Sequence, residues 1–300
     1  MRTRLAAGAT ALVAAVAITG CGQDGPAKSD ITVVASTNVW SNVASAVGGG
    51  EAKVTSIISN PVGDPHSYQM TPKDAAQLAG ARLVVFNGGG YDEFVEQALD
   101  GGGQGPKVVE AVKLDEHPAS AAGRHEQNEH VWYRLATVKA VADEIAKQLG
   151  EIKPESKDAF QTNAKSFKDK LDGLSSKLDE IAKAHDGAKV VATEPVAHYL
   201  IEDAGLADAT PAEFVKAIEE ETDPPAAAVA AIQNLITQHQ VAAVINNPQT
   251  ETPVVDDVLS KAREAKVPIV DMTETIPAGQ DYVTWMTEQI SNLSSALGQT

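Results

Sequence analysis

Two of the seven histidines occupy positions where an imidazole can do chemistry. His66 ends the segment Gly63-Asp64-Pro65-His66, between an apolar run and the helix start Thr71-Pro72-Lys73-Asp74. His130 lies in Asn128-Glu129-His130-Val131-Trp132-Tyr133, again just ahead of a helical pattern. In a parallel α/β sheet such loop-to-helix positions form the carboxyl-end rim where ligands bind. A neutral imidazole there is a transition-metal ligand by type. Each alone reads as an ordinary polar loop residue; the pair, in equivalent places, points to a shared ligand. His117 and His125 fall in the non-periodic stretch Asp115–Glu129, while His185 and His239 sit at helix ends, where a cation suits the dipole. His125 and His130 are five apart, not the i, i+4 pair of a zinc-protease helix.

Other chemistries are absent from the pattern. Asn87-Gly88-Gly89-Gly90 follows a strand but does not continue as GxGxxG, and Gly101–Gly105 reads as a turn. There is no GxSxG elbow and no P-loop. The single cysteine excludes an internal disulfide framework and a Cys-based zinc module. A formal charge of −17 makes nucleic acid a poor partner and cations good ones. The acidic run Glu219-Glu220-Glu221 reads as a solvated helix face.

The elements that must position these residues alternate short β-branched runs with amphipathic stretches, the signature of βα units and parallel sheets. Strands are expected at Thr32–Ala35, Val54–Ile58, Leu83–Phe86 and Val108–Glu110, then at Lys189–Thr193, Val241–Asn246 and Val267–Val270. Capping boxes are expected at Thr71-Pro72-Lys73-Asp74 and Thr210-Pro211-Ala212-Glu213. Helices follow near Leu135–Leu149, Pro195–Ala204, Pro225–Gln238, Pro253–Ala265 and Tyr282–Leu297. From Pro154, Phe160, Ala164, Phe167, Leu171, Leu174, Leu178 and Ile181 form an unbroken seam of alternating steps of four and three. As one helix the stretch is about 45 Å long at 1.5 Å per residue. It reads either as a coiled-coil arm or, preferably because α/β patterning resumes after it, as a helix across the back of two lobes. The expected fold class is α/β: two lobes with small parallel sheets flanked by helices, bridged by one long helix.

The chain opens differently. Met1-Arg2-Thr3-Arg4 is basic, Leu5–Ile18 is an uncharged apolar run of ~14 residues, and Ile18-Thr19-Gly20-Cys21 follows. This resembles a bacterial lipoprotein signal, with Cys21 lipidated as the mature N-terminus. Gly22–Asp30 suits a tether. The expected organisation is a signal over 1–20, a tether over 21–30, a first lobe over 31–153, a linking helix over 154–185 and a second lobe over 186–300.

A series of segments then carries a more specific resemblance. Ala35-Ser36-Thr37, Asp64-Pro65-His66-Ser67-Tyr68 and Leu83-Val84-Val85-Phe86-Asn87-Gly88 are followed in order by His130-Val131-Trp132, Ala192-Thr193-Glu194-Pro195 and Thr273-Glu274-Thr275. In order and spacing this is similar to the zinc/manganese-binding lipoproteins of ABC importers, over nearly all of the exported chain. The resemblance implies two α/β lobes with the metal in the cleft between them, and the ligands His66, His130, Glu194 and Glu274. Where the family often carries an acidic residue and then Pro after its Trp, this chain has Tyr133-Arg134-Leu135.

For the third ligand His198 competes with Glu194. Histidine is the more usual zinc ligand, but Glu194 follows a buried strand directly, on its carboxyl rim. Projected at about 100° per residue, His198 points away from the apolar face Val196, Tyr199, Leu200 and Ala204, into solvent. Glu194 is therefore the expected ligand. The leading function is a monomeric, non-enzymatic lipoprotein that captures Zn2+ or Mn2+ and delivers it to an ABC permease, anchored through Cys21 outside the cell membrane or periplasmic. A surface adhesin and a metallohydrolase are the alternatives; the latter needs an open coordination position and a separate general base.

Overall fold

The computed structural model describes residues 31–60, 65–100, 105–116, 128–220, 222–250 and 252–298. Cys21, the tether, His117 and His125 lie outside them.

The first half runs β1 (Ile31–Thr37), α1 (Asn38–Gly48), β2 (Ala52–Ile58), α2 (Pro72–Ala79), β3 (Leu83–Phe86), α3 (Glu93–Leu99), β4 (Lys107–Glu110) and α4 (Leu135–Ile152). Its strands pair wholly in parallel in the order β2-β1-β3-β4. After α5 (Lys157–His185) come β5 (Lys189–Ala192), α6 (His198–Asp203), β6 (Ala207–Asp208), α7 (Ala212–Glu219), α8 (Ala226–Thr237), β7 (Ala243–Asn246), α9 (Pro253–Ala265), β8 (Ile269–Asp271) and α10 (Tyr282–Leu297). The second sheet, β6-β5-β7-β8, repeats the parallel arrangement. The central strands β3 and β7 are buried along their whole length, which is why they read as unbroken apolar runs.

Local signals explain most boundaries. Thr71 caps α2: its Oγ1 accepts from the Asp74 N–H at 3.3 Å while Asp74 Oδ2 accepts from the Thr71 N–H at 2.9 Å. The expected box at Thr210 does not form, and α7 starts behind Pro211 with no side-chain cap. Thr210 Oγ1 instead accepts from the Ala192 N–H at 2.8 Å, satisfying the end of β5. Two short elements, α3 and β6, carry no periodic signal in the sequence.

A 3-10 turn, Pro154–Ser156, leads into α5, a single helix of 29 residues. Phe160, Ala164, Phe167, Leu171, Leu174, Leu178 and Ile181 are all buried and belong to one apolar core that takes in residues of both lobes. The seam is filled from within the chain. Aromatic side chains concentrate where the lobes meet: Tyr133 stacks on Trp285 with centroids 5.6 Å apart, Tyr282 on Trp285 at 5.9 Å, and Phe167 of α5 on Tyr282 at 5.9 Å. The Tyr282 hydroxyl donates to the Trp132 carbonyl at 2.6 Å and that of Tyr133 to the Thr273 carbonyl at 2.7 Å. The lobes therefore share a buried junction beneath their cleft. Among the described residues, no helix is long and apolar enough to cross a membrane.

Candidate metal centre

Tyr91 is the hub of the cleft. It follows Asn87-Gly88-Gly89-Gly90, which is a sharp turn after β3. Gly88 has φ +78°, and a Cβ there would lie 2.7 Å from Glu110 Cγ, so only glycine fits. Asp92 holds the turn closed, accepting from the Asn87 and Gly88 N–H groups at 2.7 and 2.8 Å; burial pushes its carboxyl up to about 6. Asn87 reaches across to donate to the Glu129 carbonyl at 2.8 Å, tying this turn to the loop of His130.

The Tyr91 ring meets that of His66 edge-on at 5.0 Å and that of His130 at 6.2 Å. Its hydroxyl donates to Glu274 Oε2 of the other lobe at 3.3 Å. Three of the four expected ligands thus surround one side chain. His66 is the more open imidazole, 41% exposed, with Nε2 3.8 Å from Glu129 Oε1.

His130 is buried and its ring is held in place. Asn128 Oδ1 accepts from the His130 backbone N–H at 2.9 Å and lies 2.8 Å from Nδ1. Asn128 Nδ2 donates to the Pro195 carbonyl at 3.0 Å, which fixes the amide with its oxygen toward the ring. An amide oxygen only accepts, so the proton belongs on Nδ1 and the lone pair on Nε2. Burial, then the neighbouring His66 and His198, push this imidazole down to about 3. It is neutral at physiological pH, as a ligand must be.

The second lobe supplies two carboxylates. Glu194 stands on the rim after β5 and Glu274 in the loop after β8, both half-buried. One nitrogen serves both: Asn247 Nδ2 donates to Glu194 Oε2 at 2.6 Å and to Glu274 Oε1 at 2.9 Å. Gln249 latches the Glu274 loop, accepting from the Glu274 N–H at 2.6 Å and donating to Thr275 Oγ1 at 2.9 Å. Among the described residues, no three His, Cys, Asp or Glu side chains are already gathered at metal-binding distance. The four expected ligands come two from each lobe and are linked through Tyr91 and Asn247.

His198 departs from expectation. It is half-buried, and it is near enough to His130 to depress that imidazole. The projected apolar face, Val196, Tyr199, Leu200 and Ala204, is buried as expected; what a helical projection lacks is the first-lobe loop of Asn128, which bonds to the Pro195 carbonyl and the Tyr199 hydroxyl beside His198. Arg134 also has a structural account. It is buried, paired with Glu202 at 2.7 Å and with Asp115 at 3.6 Å, and its guanidinium lies 4.2 Å above the Tyr199 ring. Glu219 and Glu220 are exposed. Sequence reasoning passed over Tyr91, Asn128 and Asn247, whose types carry no ligand signal.

Known proteins share this architecture. A sequence model of the family described as zinc-uptake complex component A, periplasmic, matches residues 33–296. The manganese-binding lipoprotein MntA of Bacillus subtilis (strain 168) is 28% identical over 263 residues, covering 85% of this chain and 84% of that protein. Among solved structures, the periplasmic zinc binding protein TroA from Treponema pallidum superposes with a TM-score of 0.75 at 16% identity, covering 89% of this chain and 99% of that one. A mutant of the laminin-binding adhesin Lmb from Streptococcus agalactiae gives 0.74 at 20% identity, with the same coverage. The expected fold class agrees with both. By the match over nearly its whole described length, the chain belongs to the zinc-uptake complex component A family.

Proposed function

We propose that this protein captures a divalent transition metal, Zn2+ or Mn2+, outside the cytoplasmic membrane and delivers it to the permease of an ABC importer. His66, His130, Glu194 and Glu274 are the proposed ligands, and Cys21 the proposed lipid anchor, to be checked by intact mass of membrane-fraction protein. The metal is cargo, and the reading assigns the chain no catalytic role.

One observation carries the reading: a neutral imidazole with its Nε2 lone pair fixed by Asn128 shares a cleft with two carboxylates that one amide holds together. Two imidazole nitrogens and two carboxylates form the mixed N/O set that zinc accepts as four-coordinate, the acids offsetting the charge of a divalent cation. Metal drawing the two pairs together would join donors on both lobes. The family, with relatives named for manganese and zinc, supports this cargo class.

Chelator-stripped protein titrated with Zn2+ and Mn2+ is expected to take up one equivalent, and His130→Ala and Glu274→Ala to lose most of the affinity. Uptake that both variants leave unchanged would defeat the site. On intrinsic preference zinc should bind more tightly than manganese; the reverse order in a competition titration would overturn that part.

A further inference from the structure

Asn247 occupies an unusual place for a neutral side chain. It is 1% exposed, and its single Nδ2 donates to one oxygen of each carboxylate, from two different loops. Its orientation is fixed at both ends. Oδ1 accepts from the Gln249 N–H at 3.0 Å, and the Asn247 backbone N–H donates to Thr193 Oγ1 at 3.1 Å. Rotating the amide would break the bond from the Gln249 N–H, so Nδ2 stays aimed at Glu194 and Glu274.

Two carboxylates this close repel each other unless something lies between them. A lysine or arginine there would cancel the charge that attracts a cation. The amide donates to an oxygen of each acid and brings no positive charge of its own. It also restrains how each acid can turn. On Glu274 the Tyr91 hydroxyl holds the second oxygen, Oε2, at 3.3 Å, so that acid is tied at both oxygens; an acid held in this way favours donation through a single oxygen, the mode of four-coordinate zinc. Manganese gains from acids free to swing and chelate with both oxygens, raising its coordination number.

We propose that Asn247 is a specificity-determining positioning residue: its amide holds Glu194 and Glu274 as single-oxygen donors at a set spacing and biases the site toward four-coordinate metal over manganese. This rests on the metal-binding reading above and deepens it.

The test compares wild type, Asn247→Ala, Asn247→Asp and Gln249→Ala in competition titrations with Zn2+ and Mn2+, with Co2+ as a spectroscopic probe of coordination number. Asn247→Asp keeps an oxygen for the Gln249 N–H and replaces the donor by a charged oxygen that repels both acids instead of holding them, so it carries the test if the alanine variant folds poorly. Both Asn247 variants should lower the zinc-over-manganese affinity ratio by about tenfold or more and weaken the visible cobalt absorption of a four-coordinate site. Gln249→Ala, which loosens the Glu274 loop but leaves the Asn247 donor, should weaken all three metals alike. An unchanged ratio and cobalt spectrum in both Asn247 variants overturns the proposal and leaves the metal site standing; so does an equal shift of the ratio in Gln249→Ala. A wild type that takes up none of the three metals overturns both readings.

Discussion

Asn128 grips His130 at two points, accepting its backbone N–H at 2.9 Å and facing its Nδ1 at 2.8 Å, while its own amide nitrogen reaches the Pro195 carbonyl of the opposite lobe at 3.0 Å. The residue that sets the histidine tautomer is thus also a tie across the cleft. The Tyr199 hydroxyl adds a second tie, donating to the Asn128 carbonyl at 2.8 Å.

Asn128→Ala should therefore lower zinc affinity by about 10–100-fold, the usual cost of removing the group that orients a histidine ligand. Asn128→Asp, which keeps an acceptor for Nδ1, should recover much of the loss. Competition titration checks both; an alanine variant that binds like wild type would show that the Nδ1 contact does not set the ligand.

Asp92 predicts a pH dependence of the metal-free fold. Burial raises its carboxyl to about 6, above the ~3.9 of an unfolded chain. The folded state holds the proton more tightly, so this contribution is fully present below the unfolded value and is lost as pH rises through 6, up to about 3 kcal/mol. His130, pushed down to about 3, acts in the opposite direction over an overlapping range, so only a difference between proteins isolates Asp92. Wild type should lose more stability than Asp92→Asn between pH 4 and pH 7.5, whatever the variant's absolute stability. Urea unfolding at the two pH values gives the answer, and parallel losses would refute it.

How far the sequence could be read depends on the range of the interaction involved. The α5 seam was legible because a 29-residue helix repeats its signal at every turn. His66 and His130 stood out because strand, loop and capped helix are local patterns. Asn247 and Tyr91 were not legible: each acts through partners far away in the chain, Tyr91 on Glu274 and Asn247 on Glu194. Thr210 shows the same limit, since its hydroxyl had a local cap available and took the β5 backbone instead. His198 is half-buried for the same reason, since a first-lobe loop lies against its element.

The buried seam makes a stability prediction. Leu171 has no solvent exposure and lies midway along α5, within the core common to both lobes. Leu171→Ala should cost about 2–5 kcal/mol, whereas Lys177→Ala on the exposed face of the same helix should stay within about 0.5 kcal/mol. Because the seam is covered inside the chain, both proteins should sediment as monomers. A Leu171→Ala variant as stable as wild type, or self-association through α5, would contradict the packing.

The third ligand remains the sharpest choice. His198 is closer to the site than its helical projection implied: it is half-buried and near enough to depress His130. Residue type again favours it, since imidazole is the more usual zinc donor. Three observations favour Glu194. It is held at 2.6 Å by the amide that also holds Glu274, so one nitrogen already links the two acids. Its carboxylate supplies the second negative charge that two imidazoles and Glu274 alone would leave missing. The His198 ring packs beside Tyr199, with centroids 5.2 Å apart, on the element that follows the rim rather than on the rim itself. Glu194→Ala should therefore weaken zinc binding by about 100-fold or more, a loss of about 2.7 kcal/mol, and His198→Ala by less than about threefold. Glu194→Gln should resemble Glu194→Ala if charge is what matters, and should recover binding if the side chain acts only through its hydrogen bond to Asn247. A large loss in His198→Ala with little change in Glu194→Ala would move the third ligand one turn along the chain.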